Sequence, residues 1–171
     1  MCYFLYIASP LTLTEVRSMV PEGITVDLAD PAEQRALKPL HRGIQTVAKL
    51  LIGQCSCDFV HRRGSTRQED ERHLRERYRR TGIPRAGVIA GLDRHRAGAG
   101  IPPPQEGWPR ALVDFVLEHA RNAGPTVYLL TFRPPSFTLQ FGAPVRRLHA
   151  DQITPDLEQW LLEGSPVLIS R

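Results

Sequence analysis

Leu50-Leu-Ile-Gly-Gln-Cys-Ser-Cys-Asp-Phe-Val-His61 is an apolar run that ends in two cysteines one residue apart. With the preceding Val47 it reads as the core of a long buried strand, Gln45 to Val60. Gly53 marks a bend or bulge in that strand, because glycine inside a strand weakens it and tolerates sharp backbone changes. The third and last cysteine, Cys2, opens another apolar run, Tyr3-Phe-Leu-Tyr-Ile-Ala8, which also reads as a buried strand. All three thiols therefore lie at strand ends. If the two strands run antiparallel, the start of the first meets the end of the second. Cys2 then falls near Cys55 or Cys57.

Outward from these strands the punctuation is dense, with 15 Pro and 13 Gly in 171 residues. Pro10 ends the first strand. Thr12, with Glu15 three residues on, has capping-box spacing for a short helix through Met19. Ile24-Thr-Val-Asp-Leu28 alternates apolar with polar, as a half-exposed strand does. Pro31 suits the first position of a short helix reaching Leu40. Thr66 and Glu69 repeat the capping-box spacing before a charged helix that closes at Gly82, and Pro84 opens another through His95. Residues 97–107 are a Gly/Pro loop, expected to be flexible. Trp108 to Ala123 is the strongest helix, with Leu112, Phe115, Val116, His119 and Ala123 on one face. Thr126 to Phe132 is a strand, Phe137–Phe141 and Val145–His149 form a hairpin, Thr154 caps a final helix ending at Gly164, and Val167-Leu-Ile169 adds an edge strand. The fold class expected is α+β: a single domain, residues 1–171, with a mixed or mainly antiparallel sheet of about five strands packed by about three longer helices.

A chain of 171 residues at 42% hydrophobic composition can bury a core without disulfide or metal staples. Three cysteines, an odd number, and the lack of a basic segment before the first apolar run point to a reducing, cytoplasmic setting rather than a disulfide framework. No stretch approaches the length of a membrane span, so no membrane partner is expected. The net charge of +4 is local: residues 61–96 hold eleven Arg against five acids, which is +6, and the rest sums to −2.

Three groups carry candidate chemistry. The first is Cys2, Cys55 and Cys57. With His61, or an acid such as Asp58, three thiolates suit zinc in a tetrahedral site; the same thiols also suit redox or nucleophilic chemistry. For Cys55 and Cys57 to reach one ion, a break of the strand near Gly53 or Asp58 is expected. The competing reading is that the thiols are small buried hydrophobes. Met1-Cys2 is similar to the start of class II glutamine amidotransferases, in which an N-terminal Cys uses its own amine as base. The similarity covers that pair alone, since those enzymes continue with Gly where Tyr3 stands, and the chain is not assigned to them.

The second group is Arg72, Arg75 and Arg79, which share one face of a helix by their spacing. Arginine forks match phosphate oxygens, so this face is a candidate for nucleic acid or an acidic protein partner. Interleaved acids make a salt-bridged solvated helix the competing reading. The third is His119 with Glu118 and Asp114, an acid–base group if the three line a cleft. A histidine on an apolar helix face is otherwise a hydrogen-bonded core residue. No Gly-x-Gly-x-x-Gly, Walker, His-Glu-x-x-His or Gly-x-Ser-x-Gly pattern occurs, which removes the commonest nucleotide, metalloprotease and hydrolase signatures. Whether the chain is an enzyme stays open at this level.

Overall fold

The computed structural model describes residues 2–59, 71–72, 75–76, 85–86, 89, 92, 108–133, 144–155 and 157–171, with the backbone alone for Cys2, Asp58, Trp108, Pro109, Phe132, Arg133 and Glu158. The chain divides into two compact units. One joins Met1–Val60 to Glu106–Arg171, and the other is His61–Gln105. In the second unit the described residues are helical, among them Arg72, Arg75 and Leu92. The expected loop at 97–107 and the proposed strand at 137–141 lie outside the described residues. Among those that are described, no helix is long and apolar enough to cross a membrane.

The first unit is α+β, built on a six-stranded mixed sheet, one strand more than expected. In chain order its elements are β1 (Cys2–Ser9), α1 (Leu13–Met19), β2 (Ile24–Leu28), α2 (Pro31–Leu37), β3 (Thr46–Ile52), α3 (Trp108–Ala123), β4 (Thr126–Arg133), β5 (Arg146–His149), α4 (Leu157–Trp160) and β6 (Val167–Ser170). The strand order is β2-β3-β1-β4-β6-β5. Among the described strands, only β5 and β6 pair in parallel. β1 and β2 flank β3, so the opening strand–helix–strand does not pair its own strands. The antiparallel pairing of β1 with β3 is present, with Leu5 opposite Leu50 and Ser9 opposite Thr46.

Several local signals act as their chemistry requires. Thr12 caps α1 through a complete capping box with Glu15. The Thr12 hydroxyl and N–H hold the Glu15 carboxyl below its ordinary range. Asp30 and Glu33 form a second capping box at α2, where Pro31 occupies the first turn. Helix α2 gives way to a 3-10 turn, Lys38–Leu40, at Pro39, because proline cannot donate the next helical hydrogen bond.

Three expectations change. The long strand to Val60 stops at Ile52: Gly53 at φ +68° turns the chain, Ile52 N–H bonds Cys55 O at 2.8 Å, and Cys57–Phe59 is a 3-10 turn. A positive φ is open to glycine at little steric cost, so Gly53 ends the strand rather than bulging it. The final helix is one turn, Leu157–Trp160, and Gly164 at φ +70° redirects the chain into β6. β6 is not an edge: it lies between β4 and β5. Its Val167, Leu168 and Ile169 are all buried, which is how a strand covered on both faces reads in sequence.

The register sorts side chains onto two faces. Tyr6, Ala8, Val47, Val127, Leu129 and Leu168 form one cluster with Ala29 and Leu37 of the α2 segment. Ser9 and Thr126 point to the other face, where His119 of α3 meets them. The sheet is therefore packed on one side by α2 and on the other by α3.

Candidate functional site

Cys55 and Cys57 lie where β1 begins and β3 has just ended. Cys55 and Cys57 are partly exposed, while Ser56 between them is fully buried. Tyr3 N–H donates to Cys57 Sγ at 3.4 Å, and Tyr3 C=O accepts from Ser56 N–H at 2.8 Å. Tyr3 N is one peptide unit from Cys2 Cα, so Cys57 Sγ lies within about 6 Å of that Cα. The backbone of Cys2 thus stands beside Cys57, where antiparallel pairing carries it. The side chains of Cys2 and Asp58, and all of His61, lie outside the described residues. Among those that are described, no three His, Cys, Asp or Glu side chains form a ready metal cluster.

The break expected near Gly53 or Asp58 is present at both: the chain turns at Gly53, and Cys57–Phe59 is a 3-10 turn. Cys55 and Cys57 are each partly exposed, Ser56 between them is buried, and the Cys57 sulfur faces Tyr3 N–H. The break at Gly53 brings the pair back across the end of β1.

Ser56 was not singled out by the sequence. Its hydroxyl accepts from Leu5 N–H at 2.8 Å and donates to Leu50 C=O at 2.6 Å. Leu5 and Leu50 are register partners, so the hydroxyl bridges the two strands where the ladder opens. A small polar residue between two cysteines in an apolar run was the available signal.

His119 is fully buried. Its Nε2 lies 3.1 Å from Ser9 Oγ and its Nδ1 lies 3.2 Å from Thr126 Oγ1. The Thr126 hydroxyl also reaches Gly124 C=O at 3.1 Å. If that hydroxyl donates to the carbonyl, its oxygen accepts from Nδ1–H, and Nε2 accepts from Ser9. Ser9 Oγ in turn accepts from Leu11 N–H at 2.9 Å. Every member of this chain is satisfied with a neutral imidazole. Burial lowers the His119 pKa to about 4, which agrees with neutrality. Phe115 and Tyr128 enclose the ring, and burial pushes the Tyr128 phenol up, keeping it protonated. Asp114 and Glu118 are exposed on the same helix, beside a shallow open depression with Arg121 and Asn122. The structure does not gather them around the imidazole.

On the opposite sheet face is a buried charge cluster. Glu33, 3% exposed, accepts from Tyr6 O–H at 2.6 Å, Lys49 Nζ at 2.8 Å and Asp30 N–H at 2.8 Å. Lys49 Nζ also sits 5.7 Å from the Phe4 ring centroid and 5.8 Å from that of Tyr6. Asp30-Pro-Ala-Glu33 carries the capping-box spacing that locates Glu33. Nothing local in the sequence connects it to Lys49. In the second unit Arg72 and Arg75 are exposed and helical, while Arg79 lies outside the described residues. No family model matches the chain, and neither a curated protein nor a solved structure matches it.

Proposed function

We propose that the protein holds a transition-metal ion of zinc's class at the joined ends of β1 and β3, with Cys2, Cys55 and Cys57 as thiolate ligands. The observation that carries this reading is the Tyr3 N–H to Cys57 Sγ contact of 3.4 Å. It supports the reading because it brings the Cys57 sulfur beside the backbone of Cys2, 55 residues away in sequence. Cys55 and Cys57 are partly open to solvent, so an ion can reach them. His61, four residues past Cys57, is the fourth ligand that the sequence offers. Three thiolates with a fourth donor make a closed tetrahedral site, whose role is to tie the first strand to the end of the third. Such an ion stabilises the fold, because the unfolded chain holds no preformed site.

Protein purified under reducing conditions without added metal is expected to carry about one zinc per chain, and Cys57→Ser to carry much less. Elemental analysis with a thiol count checks this. No zinc in the purified chain and no uptake by the reduced chain overturns the reading. Loss of two free thiols on mild oxidation without metal uptake assigns the cysteines to redox chemistry instead.

A second reading rests on the exposure of Arg72 and Arg75 on helical backbone. Their spacing in sequence with Arg79 supports a face for nucleic acid or an acidic protein. Binding of a generic duplex is expected to weaken steeply as salt rises. A flat salt response removes the phosphate version.

A further inference from the structure

β2 ends the described sheet on one side, with β3 as its neighbour. An edge strand leaves a row of N–H and C=O groups facing outward, a template for another strand. The register identifies those groups here. Ala29 N–H donates to Val47 C=O at 3.0 Å, one step beyond the pairing of Leu28 with Ala48. Bonded and non-bonded pairs alternate along an antiparallel ladder. Thr25 and Asp27 therefore turn their backbone groups toward β3, and Ile24, Val26 and Leu28 turn theirs outward. Two further bonds agree. Ile24 N–H donates to Pro21 C=O at 3.1 Å in the preceding turn, and Val26 C=O accepts from Arg17 Nε at 3.1 Å. Among the described residues, Val26 N–H and both backbone groups of Leu28 have no backbone partner.

This edge matches itself. About a two-fold axis at Val26, an antiparallel second copy sets Val26 opposite Val26, Ile24 opposite Leu28 and Thr25 opposite Asp27, so no like charges meet. The Leu28 side chain, 54% exposed, shares its strand face with Ile24 and Val26, and the pairing would cover it. Each Val26 N–H would donate to the other copy's Val26 C=O. That carbonyl is the one Arg17 occupies. Paired strands lie about 4.8 Å apart, so a guanidinium held against this oxygen stands where the second backbone has to come. Arg17 is carried in the last turn of α1, which is fixed by its capping box and by buried Val16. We propose that Arg17 is an edge guard, holding β2 closed to strand pairing with a second copy of this chain. The inference is independent of the thiol reading.

The test is sedimentation of full-length wild type and variants over a concentration series, with amide exchange to locate any pairing. Wild type is expected to stay monomeric. Arg17→Ala is expected to self-associate at least about tenfold more tightly. The association stays weak, because a five-residue edge is smaller than a stable interface. Arg17 is exposed and alanine favours helix, so the variant keeps its fold, which circular dichroism checks. Arg17→Gln places an amide donor as far along the side chain as Nε and is expected to remain monomeric. Leu28→Pro in the Arg17→Ala background is expected to restore the monomer, since Leu28 N–H faces outward and proline there costs no bond to β3. Val26 and Leu28 amides are expected to exchange more slowly in Arg17→Ala at high concentration than at low. A folded Arg17→Ala that stays monomeric at every concentration overturns the proposal. So does association that Leu28→Pro leaves intact or that brings no protection to Val26 and Leu28. Wild type already dimeric through these amides, or Arg17→Gln associating as tightly as Arg17→Ala, overturns it as well.

Discussion

Replacement of Glu33 by alanine is expected to lower the unfolding free energy by about 3 kcal/mol. The carboxylate is 3% exposed and serves three donors, the Tyr6 hydroxyl, the Lys49 ammonium and the Asp30 N–H. Its removal withdraws the charge that compensates Lys49, whose side chain is only 14% exposed, and it opens the α2 capping box. Breaking a buried pair costs more than the pair itself contributes, because the surviving charge stays desolvated. The residual exposure of Lys49 lets some water reach it, which places the effect at the lower end of the range for buried pairs. A second change, Lys49→Met, made in the Glu33→Ala background, removes the stranded charge and fills the same space. It is expected to recover at least about half of the loss. Urea denaturation of the single and double variants measures both. A loss under about 1 kcal/mol for Glu33→Ala, or no recovery in the double variant, shows that water already screens the cluster.

The other large effect is a pH dependence from His119. In the unfolded chain this histidine titrates near its ordinary value of 6.5, and in the folded chain burial lowers it to about 4. Between those values the unfolded chain takes up a proton that the folded chain refuses. Stability therefore falls as the pH drops through 6.5 toward 4, and this group adds no further loss below about 4. Above 6.5 the imidazole is neutral in both states and contributes no slope. The size, from roughly two and a half pKa units, is on the order of 3 kcal/mol. Protonation would also turn Nε2 into a donor, so the Ser9 hydroxyl that donates to it in the neutral tautomer would have to rotate away. The measurement is unfolding free energy against pH for wild type and His119→Gln, which cannot titrate. The variant is expected to show a clearly shallower slope between 6.5 and 4. Equal slopes, or an NMR titration of the His119 ring near 6.5 in the folded protein, would sink the assignment.

These two residues show how far local sequence carries. His119 on the apolar stripe of α3 is readable as a core residue from its spacing with Leu112, Phe115 and Val116. Its partners are not, because Ser9 lies at the end of β1, 110 positions away, and only the strand order brings it under α3. Glu33 is readable as a capping residue from Asp30, but its pairing with Lys49 depends on α2 lying across the face where β1 and β3 place Tyr6 and Lys49 opposite one another. The Cys-x-Cys pair was visible at once. Ser56 was not, since a serine in an apolar run acquires meaning only when two strands separate around it.

The stretch from Leu50 to His61 by itself determined that a buried strand is present, that glycine interrupts it, and that two thiols follow. Apolar run length and glycine's access to positive φ are properties of neighbours in the chain, so they can be read without the fold. Where the strand stops, which strand lies beside it, and what stands opposite the cysteines were decided by tertiary structure alone. Antiparallel pairing with β1 set the register, Gly53 folded the chain back across that strand, and the open ladder position between Leu5 and Leu50 took the Ser56 hydroxyl. Hydrogen-bond satisfaction of buried backbone is a condition on the whole sheet, and no window of sequence contains both of its sides.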